Sequence, residues 1–212
     1  MKTRETIEAE IERMVAGHYY SEDYELEWSA KTYYDGLSEA EQELFQGVMI
    51  ARLTGDAGMA DISIVTRLGV AAFTPHLAAL LDRQAHSSAM SRALLAVLSH
   101  QPDEQAYVAV ERFLDSELEG EALTCLARMN FHRTLPQLRW AMQKAHLHNF
   151  CIHALHEFKQ HLGMEALVKA VKQLVEPDTD ALGPHLAKIL RSKSGAYNPF
   201  SPEEIEELLA VL

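Results

Sequence analysis

The sequence predicts an all-α fold built from stacked pairs of helices. Three observations lead there. Apolar residues recur at helical spacing through most of the chain, and no segment between Asp56 and Arg191 alternates with period two long enough for a strand. The apolar pattern itself returns every 29 residues. Seven prolines and ten glycines in 212 residues are few, which suits long helices.

Residues 4–15 place Ile7, Ile11, Met14 and Val15 on one helical face, and Gly17 stops that helix. Residues 18–37 differ in kind: five tyrosines and one tryptophan stand among acids, and the stretch reads as a long ordered loop or a short irregular helix. Ser38 with Glu41 three positions on is a capping-box signature, opening a helix through Leu44, Phe45, Val48 and Ala51 towards Gly55.

From there the chain repeats. Val65, Leu94, Leu123 and Ile152 are each 29 residues after the last. Leu68, Val97, Leu126 and Leu155 keep the same spacing, as do Ile64, Ala93, Ala122 and Cys151. A second helix per unit gives Leu77, Ala106, Leu135 and Met164, with Leu80, Ala109, Leu138 and Leu167 beside them. A unit of two short helices cannot bury its apolar face alone and must stack on its neighbours. Thr74-Pro75, Gln101-Pro102-Asp103 and Glu176-Pro177-Asp178 are the helix starters. Residues 192–200 read as a loop. Ser201-Pro202-Glu203-Glu204 then opens a last helix whose apolar face is Ile205, Leu208, Leu209 and Leu212.

On these columns the chain resembles HEAT-like helical repeat proteins over roughly residues 38–192. The resemblance implies a right-handed α-α superhelix of roughly four to five two-helix repeats with N- and C-terminal capping helices. The chain departs from long HEAT units: its units are short, and their inter-helix proline and their Asp and Arg are not regularly present. The expected organisation is 1–37, an N-terminal helix with an acidic aromatic-rich segment; 38–192, the repeat array; and 193–212, a loop and capping helix.

Net charge is −12 and unevenly spread. Residues 1–60 hold 13 acids against 5 bases, a balance of −8; residues 61–200 hold 14 of each; four glutamates after residue 200 supply the remaining −4. Such a surface repels nucleic-acid phosphates and anionic membranes and favours basic partners. No run of about 18 uncharged apolar residues exists, so no membrane span is expected. The charged N-terminus lacks the apolar run of a signal peptide. Two cysteines, Cys125 and Cys151, make no disulfide framework. A cytoplasmic setting is expected.

Five of the eleven histidines fall between His146 and His161. At about 100° per residue, Cys151, Ile152, Leu155 and Phe158 share the core face, while His146, Asn149, His153, His156, Glu157 and Gln160 point the other way. His156-Glu157 with His161 is H-E-x-x-x-H, which turns the two imidazoles apart; the zincin spacing is one residue shorter. The HEAT-like deoxyhypusine hydroxylases use several His-Glu pairs, whereas this chain has one. Neither metal nor cofactor is expected.

In stacked repeats the second helices line the concave surface. Their outward columns here read Ser88, Ser91, Arg92, Leu95, Ser99; then Glu117, Glu121, Thr124, Arg128; then the histidine stripe. The candidate binding stripe is therefore Arg92, Thr124, Arg128, Asn149, His153, His156, Glu157 and Gln160. A second candidate surface is the N-terminal segment, with Tyr19, Tyr20, Glu22, Asp23, Tyr24 and Trp28, because Tyr and Trp combine large apolar area with a polar tip.

The chain carries no phosphate loop, G-x-G-x-x-G, G-x-S-x-G or C-x-x-C. Asp178-Thr-Asp180 falls short of a calcium loop and suits helix capping instead. The leading expectation is a non-catalytic protein-binding protein with a basic partner, in one form an inhibitor or immunity-type protein covering a basic enzyme. One alternative is an enzyme similar to the HEAT-like DNA glycosylases, which need a basic groove; here Arg92 and Arg128 are offset by Glu117, Glu121 and Glu157. The other is a metal-dependent protein using His153 and His156.

Overall fold

The computed structural model describes residues 1–18, 25–84, 89–101, 103–192 and 198–212, with backbone only at 18, 25–29, 177, 179, 180 and 192. The described residues are helical, without a strand. Their α-helices are α1 (Arg4–His18), α2 (Glu25–Asp35), α3 (Glu39–Thr54), α4 (Met59–Leu68), α5 (Thr74–Arg83), α6 (Ala89–Leu98), α7 (Glu104–Glu111), α8 (Glu119–Met142), α9 (His148–Leu162), α10 (Met164–Val175), α11 (Thr179–Ser192) and α12 (Pro202–Leu209). None of these is long and apolar enough to cross a membrane. The chain divides into two compact units, Met1–Ala109 and Val110–Leu212.

In the first unit α1 buries Ile7, Ile11 and Met14 and packs on α2, α3 and α4. It runs through Gly17 to His18, one turn-edge further than the glycine suggested. The aromatic segment contains a true helix, α2. Its buried Ala30 and Tyr34 are one turn apart, and Leu37 follows on the same side. Tyr34 meets Phe45 of α3 edge-on at 5.4 Å, and Gln46 Nε2 donates to its hydroxyl at 2.6 Å.

Helix α3 opens as its sequence foretold: the Glu41 carboxylate accepts from the Ser38 backbone N–H at 2.9 Å and from its hydroxyl at 2.6 Å. Helix α4 uses the same device with glycine at the cap, the Gly58 N–H donating to Asp61 at 2.8 Å. Asp61 is buried, and a buried carboxylate needs a counter-charge. Arg52 of α3 supplies it and also reaches Glu12 of α1, tying three helices together. Gly69 ends α4 in the left-handed region, φ 62°, where a side chain would be strained. Arg83, at the end of α5, donates to the carbonyls of Leu53 and Thr54 at 2.6 and 2.7 Å, satisfying groups that the end of α3 leaves open.

In the second unit α8 is two helices. Asn130 has extended backbone angles (φ −157°, ψ 92°), and its side-chain oxygen accepts from the Arg133 N–H at 3.1 Å, so it caps the second segment. Residues 119–129 carry Ala122, Leu123 and Leu126, and residues 131–142 carry Leu135 and Leu138, as separate halves of one repeat would. Arg139 donates to the carbonyls of Leu174 and Gln173, at 2.8 and 2.7 Å, where α10 ends. The same device thus closes α3 in the first unit and α10 in the second. Asp103 caps α7 by accepting from Gln105 and Ala106. Asp178 accepts from the Ala181 N–H at 3.3 Å, the capping role read from its sequence.

Of the 29-residue columns, every member except the half-buried Ala93 and Met164 is buried. Val65 and Leu94 lie in the core of the first unit, Leu123 and Ile152 in that of the second.

One part of the register needs correction. Ser91, Leu95 and Ser99 were expected on an outward column, but all three are buried. Helix α6 (AMSRALLAVL) packs against both α4 and α5 and so has two covered sides. The Ser99 hydroxyl is satisfied within its own helix, its Oγ donating to the Ala96 carbonyl at 2.6 Å, so it can be buried there.

Candidate functional site

The second unit brings most of the expected stripe together where α8 packs on α9. Gly120 sets the distance. A Cβ built there would lie 2.3 Å from the Phe150 ring, so glycine lets that ring rest directly on the α8 backbone. One turn on, Thr124 is half-buried, its hydroxyl donating to the Gly120 carbonyl at 3.1 Å. One further turn brings Arg128, which meets Glu157 of α9 two-pronged. Nε donates to Oε2 at 3.1 Å and a terminal nitrogen lies 3.1 Å from Oε1, with about a quarter of each side chain exposed.

The histidines do not share partners. His146 pairs with Glu119, which Lys144 also reaches at 3.1 Å while lying 3.6 Å over the Trp140 ring. Burial works to raise the Glu119 carboxyl, but the His146 and Lys144 hydrogen bonds and the Lys144 charge outweigh it and hold it below its ordinary value. His148 Nε2 donates to the Met142 carbonyl at 3.0 Å. His153 is exposed, as are Asn149 and Gln160, and His161 lies 3.9 Å from Glu157. Among the described residues no three of His, Cys, Asp and Glu converge as a metal site would require. Cys151 is buried in the α9 core face, and burial pushes its thiol up to about 12, leaving it protonated and unreactive at neutral pH.

His156 was expected on the outward face and is half-buried instead. Phe200, from the segment leading into α12, stands edge-on to its ring at 5.8 Å. Beside it Lys159 Nζ donates to both oxygens of Glu204 at 3.0 Å and lies 5.1 Å over the same phenyl ring. Sequence reasoning missed Lys159, Phe200 and Glu204. Glu204 was legible only as a capping residue, which it also is, accepting from the Ser201 N–H at 2.9 Å. The contact joins residues 45 apart, which no local pattern signals.

Arg92 lies exposed on α6 in the first unit. That unit also holds an open cleft of about 310 Å³ between α4 and α6, lined by Met59, Ile62, Thr66, Arg67, Ala93 and Val97. The N-terminal candidates Tyr19, Tyr20, Glu22, Asp23 and Tyr24 lie outside the described residues. Trp28 is placed by its backbone, on α2.

No protein-family model, curated protein or solved structure matches the chain.

Proposed function

We propose that the chain is a non-catalytic protein-binding helical repeat protein whose partner presents a basic surface. In its most specific form it is an inhibitor or immunity-type protein that covers a basic enzyme such as a nuclease. The observation that carries the reading is where the acidic excess sits. Of the residues responsible for the −8 balance over 1–60, Glu5, Glu12, Asp35, Glu39, Glu43 and Asp56 are exposed on the first unit. Charges so placed raise the encounter rate with a basic surface over distances of about 10 Å, and they do little for a phosphate-bearing ligand.

Two further features support it. On the α8–α9 face Arg128 and Glu157 are engaged with each other, which suits a shaped surface better than a reaction centre. The cleft between α4 and α6, with Met59 41% exposed at its edge, offers an apolar recess for an anchoring side chain.

The test is capture on the immobilised full chain from an extract of its native host, followed by kinetics with the purified partner. The reading expects a stoichiometric partner of high isoelectric point. Reversing Glu5, Glu39 and Glu43 to Lys should slow association by about tenfold at low salt. A stoichiometric acidic partner, or an association rate indifferent to both salt and charge reversal, would overturn it.

A further inference from the structure

The exposed sides of α10 and α11 form a cationic face in an acidic molecule, and we infer that this face docks on the acidic face of a second copy of the chain. The contact is head-to-tail, the second unit of one copy against the first unit of the next. The inference rests on the reading that the acidic face recruits a basic surface, and adds that the chain carries one such surface itself.

Helices α10 and α11 are joined only by the turn at Glu176–Asp178 and pack on one another, so they run back along each other. Each presents one row to solvent. On α10 the row is Glu165, Lys169 and Lys172, at i, i+4 and i+7 spacing. On α11 it is Ala181, His185, Lys188 and Arg191. Residues 164–175 and 181–191 together hold four bases and one acid. That acid, Glu165, pairs with Lys169 at 2.8 Å. Lys172, Lys188 and Arg191 are exposed and make no ion pair among the described residues.

The first unit offers the complement. The Lys2 backbone N–H donates to Glu41, so α1 and α3, which pack together, start side by side. Near those starts Glu5, Glu39 and Glu43 are exposed and make no ion pair among the described residues. Glu39 and Glu43 stand one turn apart on α3. Three open carboxylates thus match three open cations. The two faces belong to different units and differ in sign, so the contact is heterologous, each copy giving one patch to one neighbour.

Extent favours a second copy over a polyanion. Nucleic acid or an anionic membrane would also meet Glu165, Glu176 and Asp178, which border the cationic rows. A patch of three carboxylates is small enough to meet the cations alone. The net charge of −12 opposes self-association as a whole. At 0.1 M salt, however, fields fade over about 10 Å, so repulsion between whole molecules is screened while contacts between facing side chains survive.

Sedimentation of the full chain, at concentrations up to about 1 mM, tests this. The average mass of the wild type should rise with concentration near 0.1 M salt and return to that of the monomer near 1 M, where fields fade over about 3 Å. That measurement needs no variant to fold. Reversing Glu5, Glu39 and Glu43 to Lys should weaken self-association by about tenfold or more, and so should Lys172→Glu, Lys188→Glu and Arg191→Glu together. The first set moves the net charge from −12 to −6, so repulsion alone would strengthen association, and a weakening is the signature of pairing. An equimolar mixture of the two variants should associate again, because each meets the opposite sign on the other. The cation-reversed variant keeps its acidic face and should bind the captured basic partner as wild type does, so loss of self-association and loss of partner binding are read separately. A wild type that stays monomeric near 0.1 M salt, an acid-reversed variant that associates as well as wild type, or a mixture that stays monomeric would each overturn the inference. So would a monomeric wild type that binds vesicles of anionic lipid through the three cations.

Discussion

Arg128 and Glu157 are 29 residues apart and face one another across α8 and α9 through two parallel contacts of 3.1 Å. One repeat period thus separates the two partners, as it separates Leu123 from Ile152 in the core beneath. The pair is half-buried, so its worth lies between that of a surface bridge and a buried one. Glu157→Gln should cost about 1 kcal/mol, and a double-mutant cycle with Arg128→Met should return a coupling of about 0.5–1.5 kcal/mol. Denaturant unfolding measures both; a coupling near zero would make the pairing incidental.

The columns make a core prediction. Leu94 and Leu123 are fully buried, so Leu94→Ala and Leu123→Ala should each cost about 2–5 kcal/mol by loss of transfer energy plus the cavity left behind. Chemical denaturation of each variant gives the number. A cost under about 1 kcal/mol would mean that the repeat register does not organise the core.

Gly120 offers a sharper test, because its sign is unusual. Glycine inside a helix is normally improved by alanine, by about 1 kcal/mol. Here the new methyl would collide with the Phe150 ring, so Gly120→Ala should destabilise. In a Phe150→Ala background the same substitution should stabilise. Thermal unfolding of the three variants checks the reversal.

Much of this was open to sequence reading, for identifiable reasons. Ser38 with Glu41, Asp103, and Ser201 with Glu204 are capping signals that act within three residues, and each caps as expected. The 29-residue columns were visible because buried apolar positions recur at that spacing along the sequence, although the helices that carry them differ in length. Helix α2 was legible only as one of two readings, a loop or a short irregular helix, because its buried face is narrow, Ala30 and Tyr34, within a stretch rich in acids and rings. Ser91, Leu95 and Ser99 were misread because periodicity finds one buried face, whereas α6 has two. The clasp of Lys159, Phe200 and Glu204 had no signal at all, since tertiary packing alone brings those positions together.

Acid titration should single out Glu41. The Ser38 hydroxyl, then the backbone N–H groups of Lys2 and Ser38, hold its carboxyl down to about 2, from an ordinary value of 4.5. A depressed carboxyl stabilises the fold fully above its ordinary value, and the contribution fades as pH falls from 4.5 towards 2. Glu41→Gln should therefore lower the melting temperature at pH 6 and converge on wild type near pH 2. A gap that stays constant over that range would contradict the assignment.

We propose that the acidic, aromatic N-terminal segment recruits a basic protein. It is tested most directly by association and dissociation rates with the captured partner at two salt concentrations. The proteins to compare are wild type, a variant with Glu22, Asp23, Glu25 and Glu27 neutralised, and Trp28→Ala. Association should be slower and less salt-dependent for the neutralised variant, and dissociation faster for Trp28→Ala. Rates equal to wild type for both variants at both salts would contradict it.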